Sequence, residues 1–236
     1  VVGVGSDVPE HTDAQRFRRT FGIDRPFAIY VGRIDENKGC GELFDYYRRY
    51  AAVFPRGLDL VLVGSAIMQV PAHPRIHHLG FLDDRDKFDA IAASDLLIMP
   101  SFYESLSMVA LEAWALGRPV LANGRCDVLK GQCLRSNAGL YYESYEEFAE
   151  ALFSLESNGP LHARLGRNGR EYFAANYAWP VIERKYLDMF ERLAGGSAGA
   201  PMEPLPGWFA RRKQDQPAAA EVLRGIPSGA VVPQRS

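Results

Sequence analysis

Between residues 27 and 142 the chain alternates unbroken apolar runs with helix-like segments, and this rhythm limits the fold more than any other feature. FAIYVG (27–32) and LDLVLVG (58–64) are apolar throughout and stop at glycine. A strand with polar residues on every second position can face water; one without them must be covered on both faces. RIHHLG (75–80), DLLIMP (95–100), RPVLAN (118–123) and GLYY (139–142) complete six expected strands. Helices are expected between them. The first runs from about Gly41 to Phe54, with Leu43, Tyr46, Tyr47 and Tyr50 spaced for one face. The second is capped by Asp83 and runs to about Ala93. The third runs from about Ser105 to Leu116, with Gly117 closing it. Strand followed by helix, repeated, with fully apolar strands, predicts an α/β fold built on a doubly wound, Rossmann-like parallel sheet. Ligands of such sheets sit beyond the carboxyl ends of the strands. The segments after Gly32, Gly64, Gly80, Pro100 and Ala122 are therefore where chemistry is expected.

Three regions are expected along the 236 residues: a linker with a lead-in helix (1–26), the nucleotide-binding domain with its C-terminal helices (27–194), and a largely disordered tail (195–236). The tail is rich in Gly, Ala, Pro and Arg and poor in large apolar side chains, too little to offset its ordering entropy. A short helix is expected near Ala218–Leu223. The chain opens on Val1 rather than methionine, which reads as the loss of preceding sequence. With 27 basic and 29 acidic side chains it lacks the basic excess of a general nucleic-acid binder. Three cysteines cannot all pair, which argues against a disulfide framework. No apolar run approaches the roughly 20 residues of a membrane span.

Two constellations fall in the expected strand-end segments. In the first, Gly32-Arg33 leaves a central strand and Lys38-Gly39 precedes the next helix. A guanidinium fork, an ammonium and a helix N-terminus facing one cleft suit a diphosphate. A strand-end arginine paired with Asp35 or Glu36 is the plainer alternative. In the second, Glu104 follows a strand end, and Glu112 lies within an apolar helix. Ser105, Met108 and Glu112 are expected on one helical face. A buried carboxylate needs donors, and a ribose diol supplies two; a pair with Arg118 would serve as well. Glu104 lies within reach of sugar hydroxyls, or simply complements the helix dipole. The N–H groups of Ser107 and Met108 are expected in the first turn, where they can hold phosphate. Cys126 and Cys133 read as ordinary loop thiols. His77 and His78 point to opposite faces of a strand, so no metal site is expected. Arg125, Asp127 and Lys130 read as exposed loop charge, and Arg211-Arg212-Lys213 beside Trp208-Phe209 as a solvated tail.

The series GRIDENKG, LVLVG, GFLDD, SDLLIMPSFYESLSMVALEAWALGRPVLA and WPVIERKYLDMFERL resembles the C-terminal, donor-binding domain of GT-B glycosyltransferases of the large retaining family 4. The resemblance covers about residues 27–193, and VVGVGSDVP looks like that family's interdomain linker. It implies that Arg33 and Lys38 bind the diphosphate of a UDP- or GDP-linked sugar, with Gly32 in the same element. It implies that Glu104 acts at the transferred sugar, Glu112 at the ribose and the backbone at Ser107 and Met108 at phosphate, while Phe81 and Leu82 meet the base. It further implies transfer with retention, no cofactor or metal beyond the donor substrate, a carbohydrate or lipid-linked acceptor, and a cytoplasmic enzyme able to sit at the cytosolic face of a membrane. The family's N-terminal domain, which supplies the acceptor site, is outside this chain, so little activity is expected of it alone. The family often has Glu-x-Phe-Gly where this chain has Glu104-Ser105-Leu106-Ser107, which bears on the choice of sugar. A non-catalytic nucleotide-binding or partner module on the same fold is the alternative. A relative that isomerises or phosphorolyses sugars is a weaker one, since nothing marks a Schiff-base lysine.

Overall fold

A computed structural model describes residues 3–195. The expected tail, its short helix and its Trp-Phe and Arg-Arg-Lys groups fall outside the described residues, apart from Gly195. Six parallel strands form one sheet in the order β3-β2-β1-β4-β5-β6. They are β1 (Phe27–Val31), β2 (Asp59–Val63), β3 (Ile76–His78), β4 (Leu96–Met99), β5 (Val120–Asn123) and β6 (Gly139–Tyr142). Every residue of β1, β2, β4 and β5 is buried, as unbroken apolar runs require. The helices are α1 (Ala14–Phe21), α2 (Cys40–Val53), α3 (Asp84–Ala93), α4 (Met108–Ala115), α5 (Asp127–Ser136), α6 (Tyr145–Ser157), α7 (Gly159–Asn176) and α8 (Trp179–Gly195). Residues 3–190 form one compact unit; the last turn of α8 belongs to a second.

Alternate strand residues face opposite ways, so the sheet carries two cores. Ile29, Val31, Val61, Val63, Leu97 and Met99 pack with Phe17 of α1, Ile91 of α3, Leu111 and Trp114 of α4 and Leu129 of α5. Ala28, Tyr30, Leu60, Leu62 and Ile98 pack with Leu43, Tyr47 and Tyr50 of α2 and Phe148 and Leu152 of α6. Polar side chains fix where the helices begin. Asp13 and Asp83 accept from Arg16 N and Asp86 N, and Ser144 from Glu147 N.

Two expectations need correction. The helix after β4 begins at Met108, not Ser105, because Ser107 caps it by accepting from Ala110 N at 3.2 Å. Ser105 therefore lies in the preceding loop and shares no helical face with Glu112. The segment after β5 is a helix rather than a loop. Its α5 carries Gly131 in its middle and stops where Asn137 adopts a left-handed φ of 47°. Cys133 is thus a buried helical residue and Cys126 its buried N-cap.

Helix α7 meets the turn that closes α4 at a backbone contact. A Cβ on Gly166 would lie 2.4 Å from the carbonyl oxygen of Gly117. The Gly166→Ala variant should lose about 1–3 kcal/mol through overpacking, a fall in Tm of roughly 3 °C per kcal/mol in thermal denaturation. Gly159, which opens α7, has no atom within 4 Å of such a Cβ; Gly159→Ala should change stability by less than about 1 kcal/mol. Equal effects of the two would show that the contact is not a constraint.

Candidate functional site

After β1 the chain runs outward to β2 and β3, then returns to add β4 on the other side. The crossovers from β1 and β4 diverge here, and a crevice opens at the carboxyl ends. Two close backbone approaches shape it. Gly64 has a φ of 136°, and a Cβ there would lie 2.0 Å from the Gly32 carbonyl oxygen. Gly39 has a φ of 73°, and its Cβ would lie 2.2 Å from the Pro100 carbonyl oxygen. The second approach draws the loop after β1 against the end of β4.

Asp35 organises that loop. Its buried carboxylate takes Arg33 Nε on one oxygen and the Lys38 backbone N–H on the other, the latter at 2.7 Å. Tyr30 donates from its hydroxyl to the Arg33 carbonyl at 2.7 Å. Burial pushes the Asp35 carboxyl up, but Arg33 and the N–H groups of Lys38 and Asn37 outweigh it and hold it below its ordinary value. The Arg33 side chain remains 59% exposed, fixed at Nε and open at its outer end. Of the two expected carboxylate partners, Asp35 takes Arg33.

Lys38 reaches across to the next strand end. Its Nζ lies 2.8 Å from Glu104 Oε1, and Glu104 is the more buried of the two. Glu104 stands in the loop between β4 and α4, on the wall of a cavity of about 490 Å³. Arg125 and Asp127 line the same cavity. Arg125 is clamped rather than loose: Glu42 pairs with it, Asn123 Oδ1 accepts from its backbone N–H at 3.0 Å, and the Phe102 ring lies 4.8 Å away. Asn123 in turn donates to the Pro100 carbonyl at 2.9 Å, joining the ends of β4 and β5. Arg125 is thus exposed in the turn after β5, as expected, but held by partners rather than freely solvated.

A second cavity of about 310 Å³ lies at the ends of β1 and β2. Gly32, Arg33, Phe81 and Leu82 line it, as does Lys87 of α3. The Phe81 side chain stands largely in solvent, open to stacking by a flat partner. Behind Lys87 lies Glu112, only 8% exposed. Its Oε1 accepts from Lys87 Nζ at 3.3 Å and from Ser6 Oγ at 3.5 Å, while Oε2 has no hydrogen-bond partner. Burial pushes the Glu112 carboxyl above its usual range, and Lys87 opposes that rise. Arg118, weighed as its partner, instead donates to the Ala92 carbonyl. Ser107 caps α4 and Met108 opens it, so their N–H groups lie among the first of that helix, which no preceding turn can accept.

The structure thus brings Gly32, Arg33, Phe81 and Leu82 to one cavity, and Arg33, Lys38 and Glu104 into one chain of contacts through Asp35. Glu112 does not line the cavity wall. It is reached through Lys87, which the sequence reading passed over. The available signal was position: Lys87 lies one turn into the helix that follows Phe81-Leu82. His77 pairs with Asp59 and His78 with the Gly64 carbonyl, on separate partners.

Comparison with known proteins bears on this arrangement. The phosphatidyl-myo-inositol mannosyltransferase of Propionibacterium freudenreichii is 31% identical over 196 residues, covering 80% of this chain and 50% of that protein. The lipopolysaccharide core biosynthesis glycosyltransferase LpsE of Rhizobium meliloti is 28% identical over 177 residues, covering 70% and 50%. The chain spans about half the length of the curated relatives it matches. In fold it is similar to HepE of Anabaena in complex with UDP, with a TM-score of 0.67 at 20% identity over 79% of this chain and 56% of that one. Sucrose-phosphate synthase of Thermosynechococcus elongatus gives a TM-score of 0.66 at 24% identity, covering 83% and 53%. The sheet and helices are thus those of one half of a GT-B architecture. A family model described as glycosyl transferases group 1 matches residues 12–172, and the chain belongs to that family.

Proposed function

We propose that this chain is the donor-binding half of an enzyme that transfers a sugar from a nucleoside-diphosphate sugar to an acceptor, with retention of configuration. The observation that carries the reading is the pair of cations at the carboxyl end of β1, Arg33 and Lys38, tied through Asp35 and backed by Glu104. Each cation is held by one carboxylate in the free protein, which keeps it placed without fixing it permanently. A partly exposed ion pair is worth about 0–1 kcal/mol. A diphosphate, with more charge and more acceptor oxygens, can bind the open outer end of Arg33 while Asp35 keeps its Nε, and can displace Glu104 from the partly exposed Lys38. Displacing Glu104 from Lys38 frees its carboxylate for the hydroxyls of the sugar in the neighbouring cavity. Phosphate binding and sugar binding are then two parts of one exchange. The first N–H groups of α4, at Ser107 and Met108, add positive potential on the same side. Phe81 and Leu82 face the base, and Glu112 the ribose.

The donor is a substrate, and no resident cofactor enters the reading. Retention rests on the family resemblance, and the UDP held by HepE supports a nucleotide donor. A carbohydrate or lipid-linked acceptor belongs to the half of the relatives that this chain does not match. The same reading places the enzyme in the cytoplasm, able to work at the cytosolic face of a membrane. No helix among the described residues is long and apolar enough to cross one.

Calorimetry with UDP and GDP tests the reading. One of them should bind, and Arg33→Ala should weaken it by about 10- to 100-fold, the loss of a hydrogen bond to a charged group. The same ligand should raise the Tm by mass action. Binding of neither at millimolar concentration would overturn the reading. The Glu104→Gln variant should bind the diphosphate at least as tightly as the wild type, since it no longer competes for Lys38. Joined to its acceptor-binding half, that variant should lose most of its transfer activity. Nucleotide binding with no transfer by the joined wild-type enzyme, whatever the acceptor, would instead favour a non-catalytic binding module.

A further inference from the structure

Glu112 is a buried carboxylate with one oxygen partnered and the other without a donor. Three groups face it: Lys87 and Asp84 from α3, and Ser6 from the lead-in segment. Lys87 is the sole cation among them. Its Nζ lies 3.3 Å from Glu112 Oε1 and 3.1 Å from Asp84, and its ammonium sits 4.2 Å from the centre of the Phe88 ring. Asp84 is exposed to solvent while Glu112 is not, so the low-dielectric half of this pairing is the one with Glu112. Lys87 also forms part of the wall of the 310 Å³ cavity, which the Arg33 that the donor reading assigns to phosphate also lines. It therefore stands between the nucleotide cavity and the carboxylate behind it.

We propose that Lys87 is a positioning residue, which holds Glu112 ionised and in one orientation behind the nucleotide cavity, so that the pair recognises a ribose diol as a unit. The proposal rests on the donor-binding reading and names a residue that this reading does not contain. An ionised carboxylate accepts from two hydroxyls with charge assistance; a protonated one gives up one of those acceptor sites. The unpartnered Oε2 is the acceptor the diol would fill, and a buried acceptor left empty is costly. Burial already pushes Glu112 toward its protonated form, and Lys87 is the main group opposing that shift. Without Lys87, Glu112 would take up its proton at a higher pH. Diol recognition would then fade from the acid side, beginning at higher pH than in the wild type.

The test measures two affinities across pH 5 to 9. One ligand is UDP or GDP, whichever binds more tightly, and the other is its 2′,3′-dideoxy analogue. The wild type should prefer the ribonucleotide by tenfold or more, and that preference should fall as the pH drops. Lys87→Met should cut the preference to about threefold or less at neutral pH and move its fall to higher pH. Lys87→Arg should restore both. Binding of the dideoxy analogue by Lys87→Met shows that the variant is folded. An unchanged preference and pH profile in that variant would overturn the proposal. A wild type that binds the diphosphate with no preference for ribose would also overturn it, while leaving the roles of Arg33 and Lys38 intact. No nucleotide binding by the wild type would overturn both readings.

Discussion

The site exists because β1 lies at the centre of a parallel sheet whose chain leaves on one side and returns on the other. Parallel pairing forces every strand to point the same way, and long crossovers then cover both faces. All the carboxyl ends gather on one rim. At β1 and β4 the crossovers part, and nothing in the ladder closes the gap. Gly64 against Gly32 and Gly39 against Pro100 bring the rim's backbones closer than any side chain would permit. The core supplies the stability; the rim can therefore carry charge, which a core could not tolerate.

Charge on that rim is compensated group by group. Arg33 rests on Asp35, Lys38 on Glu104, Lys87 on Glu112 and Arg125 on Glu42. Each pairing places a cation without leaving a buried ion unpaired, which would be far more costly. The pairs differ in how readily they exchange. The Arg33 side chain is 59% exposed and that of Lys38 partly so, which in the proposed reading leaves both open to a phosphate. Glu112 is buried and keeps its partner. In the proposed reading, the exposed cations at the end of β1 meet the anionic part of the donor and the more buried Lys87–Glu112 pair meets its neutral ribose.

Much of this was legible in the sequence, for a physical reason. A strand buried on both faces must be apolar along its length, so β1, β2 and β4 announced themselves. Cap residues such as Asp83 marked helix starts through local hydrogen bonds. The start of α4 was misplaced because apolar periodicity extends past a cap: Ser105 and Leu106 fit the helical pattern, yet Ser107 ends the loop. Helix α5 was hidden by a weak apolar period and a central glycine. Glu112 was correctly read as a carboxylate needing donors, but its partner could not be. Arg118, close in sequence, was the natural choice, whereas Lys87 arrives through the packing of α3 beside α4, a tertiary relation that no local pattern encodes. Arg125 is exposed in a turn as its loop position implies, but its partners, Glu42 of α2 and Phe102 after β4, are likewise set by tertiary packing.

A crystal structure with a bound nucleoside diphosphate addresses the central claim most directly. The account predicts diphosphate oxygens within hydrogen-bonding distance of both the Arg33 guanidinium and Lys38 Nζ, with the Lys38–Glu104 pair opened. A diphosphate bound away from the carboxyl end of β1, or bound there with that pair intact and Lys38 uninvolved, would contradict it.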